Sequence, residues 1–320
     1  MNYRPATNRY EQIPYRRCGN SGLLLPALSL GLRFNFGGLT PFDTQQSILR
    51  KGFDMGITHF DLANNYGPPY GEAERNFGIH MDRDWQTHRD ELIISTKAGY
   101  DMWEGPYGDH GSRKHLISSL DQSLKRMHLD YVDIFYHHRP DPDTPIEETM
   151  GALDQIVRSG KALYVGISNY NAEQTRVAIK TLEELGTPML VHQAKYSMLV
   201  RDPEQGLTQV LKEEGVGCIA FAALYYGVLT NKYLKPGAVI PSNIPQATIE
   251  KVKKLTAIAE RRGQSMAQLA LLWVLRNPEV TSTVIGASRP EQVEDNVRAF
   301  DNPILSDDEL EEIESILSGE

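Results

Sequence analysis

Cysteine is scarce: Cys18 and Cys218 are the only two in a chain of 320 residues. Two thiols so far apart build neither a disulfide framework nor a metal knuckle, which fits a reducing, cytoplasmic setting with both as packing residues. The histidines form no H-x-H or H-E-x-x-H spacing and none with cysteine, so no metal site is expected. Long apolar runs are missing as well: none is long enough to cross a bilayer, and the start, Met1-Asn2-Tyr3-Arg4-Pro5, is polar rather than signal-like. There is also no basic block. With 33 Lys and Arg against 42 Asp and Glu, the net charge of −9 argues against nucleic acid or an anionic membrane as partner, while leaving room for a local basic pocket. Repeats, heptads and low-complexity tracts are absent.

What the sequence has is a rhythm. A short hairpin is expected over 12–18 and 23–26, turning at Gly19-Asn20-Ser21-Gly22. Apolar, β-branched runs then read as strands at 27–30, 57–60, 92–96, 131–136, 162–167, 189–192, 216–221 and 280–285. Helical periodicity falls between and after them, at 43–55, 72–81, 112–127, 145–158, 172–185, 203–213, 247–262, 265–275, 290–300 and 306–317. Ser112, Asn171 and Ser306 are natural N-caps, Thr144-Pro145 reads as a cap followed by a first-turn proline, and Gly160, Gly186 and Gly215 sit at helix ends. Strands that are continuously apolar and alternate with helices mean a covered parallel sheet. Eight such units without a linker fit a single (β/α)₈ barrel: hairpin about 12–26, barrel about 27–300, a last helix over 306–317. A doubly wound open sheet is the alternative, but Gly31-Leu32-Arg33-Phe34 is no dinucleotide fingerprint. The irregular stretches after strands one, three and seven (33–41, 100–111, 224–246) would lie at the C-terminal face, and the proline-rich 235–245 reads as a lid or a plain surface loop.

Polar residues gather at those strand ends. The run 56–60 stops at Asp61, and Asn64, Asn65 and Gly67 turn the chain around Tyr66. A carboxylate and a phenol so spaced can converge over a barrel mouth, or be no more than a capping acid and a packed ring. Lys97 closes a run that would bury its stem, which demands a carboxylate; Asp61, one strand over, is the natural partner, with or without chemistry. A phenol beside that ammonium is expected to have its pKa pulled below the usual value of about 10. His137 and His138 are strand neighbours and so point to opposite sides, one to the mouth and one to the helix layer.

Asp61 and Tyr66 in the D-x-x-x-x-Y-G turn, Lys97 in Ser-Thr-Lys, and a histidine before Arg139-Pro140-Asp141 together resemble the aldo-keto reductases, NADPH-dependent (β/α)₈ oxidoreductases. The resemblance extends over 15–317. It implies that Tyr66 gives a proton to the carbonyl oxygen, Lys97 lowers its pKa, Asp61 holds Lys97, and His138 orients and polarises the carbonyl. It implies a nicotinamide against Phe221, with its carboxamide on Ser168, Asn169 and Gln193, and further cofactor contacts at Leu224, Gly227 and Lys232 in the loop after strand seven. The stretch 285–296 resembles the family's adenosine clamp, with Gly286 in its turn, Ser288 and Arg289 on the 2′-phosphate, and Gln292, Asp295 and Asn296 on the adenosine. The physics agrees, since a helix N-terminus and an arginine both suit a phosphate; read alone, Ser288 is an N-cap and Arg289 a solvated charge.

Within the family, the loop 98–108 with Gly111-Ser112-Arg113-Lys114 and the segment 61–69 resemble bacterial L-glyceraldehyde 3-phosphate reductases, near the potassium-channel β subunits. That implies a small aldehyde or ketone as substrate (L-glyceraldehyde 3-phosphate, methylglyoxal or the like) and a ring-shaped homo-oligomer, a tetramer or octamer. Arg33, Phe34, Tyr100, Trp103, Tyr225 and Tyr226 are expected at the pocket wall, Arg33 toward an anionic substrate group. The chain departs from the family at Arg33-Phe34, where Trp-His is usual, and at 221–227, which lacks the usual Ser/Thr-Pro. Two other functions fit parts of the pattern: a non-enzymatic NADP(H)-sensing subunit, and a Schiff-base lyase working through Lys97.

Overall fold

Alternating buried and amphipathic segments fold as the periodicity predicts. The computed structural model describes residues 3–319. A two-stranded antiparallel hairpin, β1 (Tyr15–Arg17) and β2 (Leu24–Pro26), precedes eight barrel strands. These are β3 (Leu28–Gly31), β4 (His59–Asp61), β5 (Ile93–Ala98), β6 (Val132–His137), β7 (Ala162–Ser168), β8 (Val191–Lys195), β9 (Gly217–Phe221) and β10 (Val280–Ile285). All pair in parallel and in chain order, and β10 closes on β3, so the barrel has no open edge.

Among the described residues ten α-helices surround it: α1 (Phe42–Asp54), α2 (Glu72–His80), α3 (Arg113–Met127), α4 (Ile146–Arg158), α5 (Ala172–Leu185), α6 (Leu207–Glu214), α7 (Gln246–Arg261), α8 (Met266–Leu275), α9 (Pro290–Val297) and α10 (Asp307–Ser318). No helix among the described residues is long and apolar enough to cross a membrane. Ser112 caps α3, and Asn171 and Ser306 form capping boxes on α5 and α10. Every residue of α8 is buried: apolar side chains all round and one amide, Gln268, which is satisfied by Asp295.

The hairpin plugs the barrel floor. Cys18 and Leu25 are sealed against Ile134, Tyr136, Leu190, Val191 and Ile219 from the interior. Gly217 permits this: a Cβ there would stand 2.3 Å from Cys18 Sγ. Burial pushes both thiols up to about 12, consistent with packing residues.

Some boundaries differ from expectation. Pro145, not Thr144, occupies the N-cap of α4 and makes no side-chain cap. The helix expected from 203 begins at Leu207, because Gly206 at φ 114° breaks the chain after a short 3₁₀ turn. Helical turns of π and 3₁₀ type carry on from α2 through Glu91, where the sequence has charges but no apolar stripe.

Candidate active site

Strand register decides which side chains meet. Asp61 on β4 pairs with Ser95 on β5, and Lys97 lies two residues further on, so all three point into the barrel. Lys97 Nζ donates to Asp61 Oδ2 at 2.6 Å and to the Leu62 carbonyl at 2.7 Å, and Lys97 is completely buried. Ser95 Oγ at 2.6 Å and Gln193 Nε2 at 3.2 Å donate to the other oxygen, Oδ1. Burial draws the lysine below its ordinary value, and Asp61 opposes that. An ammonium sealed from solvent and holding two acceptors is not a free nucleophile, which argues against Schiff-base chemistry.

Tyr66 lies above this pair, its ring centroid 5.4 Å from Lys97 Nζ. His138 stands edge-on to it with centroids 6.0 Å apart, and Tyr100 closes the far side of His138 at 4.7 Å. The two histidines do part company. His137 turns to the helix layer and meets the Tyr170 hydroxyl at 2.6 Å, while His138 faces the mouth with a buried Nδ1 that has no hydrogen-bond partner among the described residues. Burial, then Lys97 and Arg33, hold His138 well below the usual range, so it is a neutral imidazole.

The pKa of Tyr66 moves opposite to expectation. Burial pushes the phenol well above 10 and Asp61 adds to this, while Arg33 opposes it. Lys97 was expected to lower it, but its charge is matched by Asp61 at 2.6 Å. The phenol therefore carries its proton throughout the neutral range.

Two loops frame the mouth. In the first, Gly37 lies so close to the Tyr66 loop that a Cβ would meet Gly67 C at 2.6 Å, and Gly38 N donates to the Pro68 carbonyl at 2.9 Å. Arg33 and Phe34 are exposed beside it, the guanidinium 5.2 Å from the Phe34 ring. Arg33 forms no ion pair among the described residues, yet its charge acts on Tyr66, Lys97 and His138. The second loop is pinned by Arg139, which holds Asp109 at 2.8 Å and the Gly99 carbonyl at 2.8 Å. Trp103 packs on His115 of α3 at 5.0 Å, so Tyr100 rather than Trp103 makes the ring contact with His138.

The residues expected at a cofactor form two groups. Ser168, the last residue of β7, is the register partner of Gln193, which lies within β8 because that strand runs on to Lys195, and Asn169, at φ 63°, donates to Ser168 Oγ and the His138 carbonyl. Phe221 is half-buried at the end of β9, opposite Lys195. Beyond it Ala222, Tyr225 and Tyr226 all have positive φ, a strained turn that runs through Leu224 and Gly227. Lys232 follows, lying over Tyr233 at 5.0 Å. The second group opens α9. Gly286, Ser288 and Arg289 are exposed there, and the N-cap position belongs to Arg289, not Ser288, whose hydroxyl donates to Gln292 Oε1 at 3.1 Å. Asn296 is buried, and Asp295 accepts from Ser265 and Gln268 at the start of α8. Exposed donors at a helix N-terminus, with an aromatic face and amides at neighbouring strand ends, fit a nicotinamide dinucleotide.

Two inward residues escaped the sequence reading: His59 and Ser95. Each precedes a recognised residue by two positions, Asp61 and Lys97 respectively, so the strand period alone would have placed them on the same inner face.

The chain is similar to known proteins over nearly its whole length. The model of the aldo/keto reductase family matches residues 27–318. An Escherichia coli (strain K12) protein named L-glyceraldehyde 3-phosphate reductase is 54% identical over 328 residues, covering 98% of this chain and 95% of its own. A probable voltage-gated potassium channel subunit beta of Arabidopsis thaliana is 35% identical, covering 95% and 97%. A putative one of Schizosaccharomyces pombe is 33% identical, covering 98% and 96%.

Proposed function

The chain belongs to the aldo/keto reductase family, and from that premise we propose that it is an NADPH-dependent reductase of small aldehydes or ketones. The observation that carries this reading is the Asp61–Lys97 pair at 2.6 Å, buried directly beneath a protonated Tyr66 and a neutral His138. When bound, the nicotinamide supplies the hydride. Tyr66 donates its phenolic proton to the carbonyl oxygen, as a positioned general acid. His138, being neutral, can aim an N–H at that same oxygen and orient it without giving up charge. Asp61 and Lys97 keep the charge beneath the phenol fixed, so little rearranges when the proton moves.

Ser168, Asn169 and Gln193 would hold the carboxamide, Phe221 the ring face, and Leu224, Gly227 and Lys232 the middle of the cofactor. Gly286, Ser288, Arg289, Gln292, Asp295 and Asn296 would take the adenosine end, with Arg289 favouring a 2′-phosphate and so NADPH over NADH. The unpaired Arg33 and the reductase name of the E. coli relative favour a phosphorylated aldehyde, L-glyceraldehyde 3-phosphate first. The relatives named channel β subunits keep a cofactor-sensing role in view, which the same assay separates. NADPH binding is followed by fluorescence, then absorbance decay with glyceraldehyde 3-phosphate, methylglyoxal and benzaldehyde. Fast decay on one carbonyl supports the reductase; binding without decay on any favours a sensor; no binding overturns the assignment.

A further inference from the structure

The hydrogen bonds that end on Asp61 begin two strands away, on β10, and run through the neighbouring strands β3, β4 and β5. Ser282 Oγ of β10 lies 2.7 Å from Ser29 Oγ of β3, which lies 2.7 Å from His59 Nδ1 of β4. His59 Nε2 is 2.9 Å from Ser95 Oγ of β5, which donates to Asp61 Oδ1 at 2.6 Å. Ser282, Ser29, His59 and Ser95 are all fully buried.

A carboxylate only accepts, so it dictates every proton behind it. Ser95 has one hydroxyl proton and directs it at Asp61; toward His59 it can then only accept. The N–H of a neutral His59 must therefore sit on Nε2, its Nδ1 must accept from Ser29, and Ser29 must accept from Ser282. We propose that His59 is a positioning residue for the proton-donor step, its Nε2–H holding the Ser95 hydroxyl on Asp61 and so fixing the charge beneath Tyr66. The proposal rests on reading Tyr66 as the proton donor.

The charged groups that act on His59 are Asp61 on its own strand and Lys97 on β5, while its direct partners on β3 and β5 are neutral hydroxyls. Burial takes the imidazole down to about 4, which keeps it neutral at working pH. Tyr66 feels Asp61, Arg33 and Tyr100. Losing the donor from Ser95 leaves more of the Asp61 charge unshared, and that charge already raises the phenol. The acid becomes weaker.

The test begins with ¹⁵N-histidine NMR of the full-length wild type, with the His59 signal assigned by its loss in His59→Gln. The expected signal is the Nε2–H tautomer, unchanged from pH 8 to about 5, below the ordinary histidine value. In His59→Leu, kcat should fall on the order of tenfold, as for other supporting contacts around a reactive group. KM and NADPH affinity should hold, and the alkaline limb of the kcat profile should move to higher pH. His59→Gln, whose amide can replace the lost N–H, should recover most of the rate. If His59→Leu does not fold, Ser95→Ala reads the same link and should move the limb in the same direction. An Nδ1–H tautomer, titration near the ordinary value, or a wild-type limb in both His59→Leu and Ser95→Ala would overturn the proposal. An inactive wild type with the Nε2–H tautomer would fail the proton-donor reading instead.

Discussion

Lys97 Nζ meets Asp61 Oδ2 at 2.6 Å across adjacent barrel strands, with the lysine side chain at 0% and the aspartate at 3% exposure. A pair this deep is costly to break, because either survivor is left as an unmatched buried charge. Lys97→Met or Asp61→Asn should each cost about 3–5 kcal/mol of stability. The double variant should lose clearly less than the sum, since neither charge then remains. Urea unfolding of the four proteins measures the coupling; simple additivity would mean that the two side chains do not interact in solution.

Arg33 is a guanidinium at the mouth with no acidic partner among the described residues, although its field reaches Tyr66 and His138. An anionic group on the substrate would provide that partner. Arg33→Ala should then raise KM for glyceraldehyde 3-phosphate roughly tenfold, the low end for a charge-assisted contact because Arg33 is exposed. KM for methylglyoxal, which has no phosphate, should not change. Equal effects on both substrates would assign Arg33 to the loop's structure rather than to substrate charge.

Much of this was legible in the sequence, for identifiable reasons. Barrel strands covered by helices read as unbroken apolar runs, and every one of the eight was found. Asp61, Lys97 and His138 announced themselves as polar residues where such runs stop. His59 did not, since one histidine inside an apolar run looks like packing until register puts it beside Ser29 and Ser95. The direction of the Tyr66 shift is hidden for a related reason: it is set first by burial of the phenol and then by Asp61, and the depth at which a loop tyrosine sits is not carried by spacing. The start of α6 was hidden because Pro203 looks like a first-turn proline, whereas Gly206 sets the boundary.

Buried neutral histidines make acid the chain's weak side. Burial lowers His59 and His192 to about 4 and His137 to about 3, from an ordinary value of 6.5. Between about pH 6.5 and 4 the unfolded chain binds protons at these sites and the folded chain does not. Stability must therefore fall as pH falls, by up to ~1.4 kcal/mol per unit for each group. Glu91 and Asp141, both lowered to about 2, lose their contributions only at more acid pH, so the windows separate. The urea midpoint should drop steeply between pH 6.5 and about 4.5. A flat midpoint across that window would mean that these imidazoles are protonated in the folded state.

Tyr66→Phe separates chemistry from structure more cleanly than any other change at the mouth. The phenol oxygen makes no hydrogen bond among the described residues, whereas the ring packs against the core and edge-on to His138. Removing the hydroxyl should thus leave stability within about 0.5 kcal/mol and NADPH affinity untouched. Without the proton donor, turnover should fall by roughly 10²–10⁴. His138 is neutral and Lys97 is sealed beneath the ring, so neither is placed to take over the proton. Single-turnover oxidation of bound NADPH in the presence of aldehyde measures the loss at the chemical step itself. If that rate is unchanged in a folded, cofactor-binding Tyr66→Phe protein, the proton comes from elsewhere and the role given to Tyr66 falls.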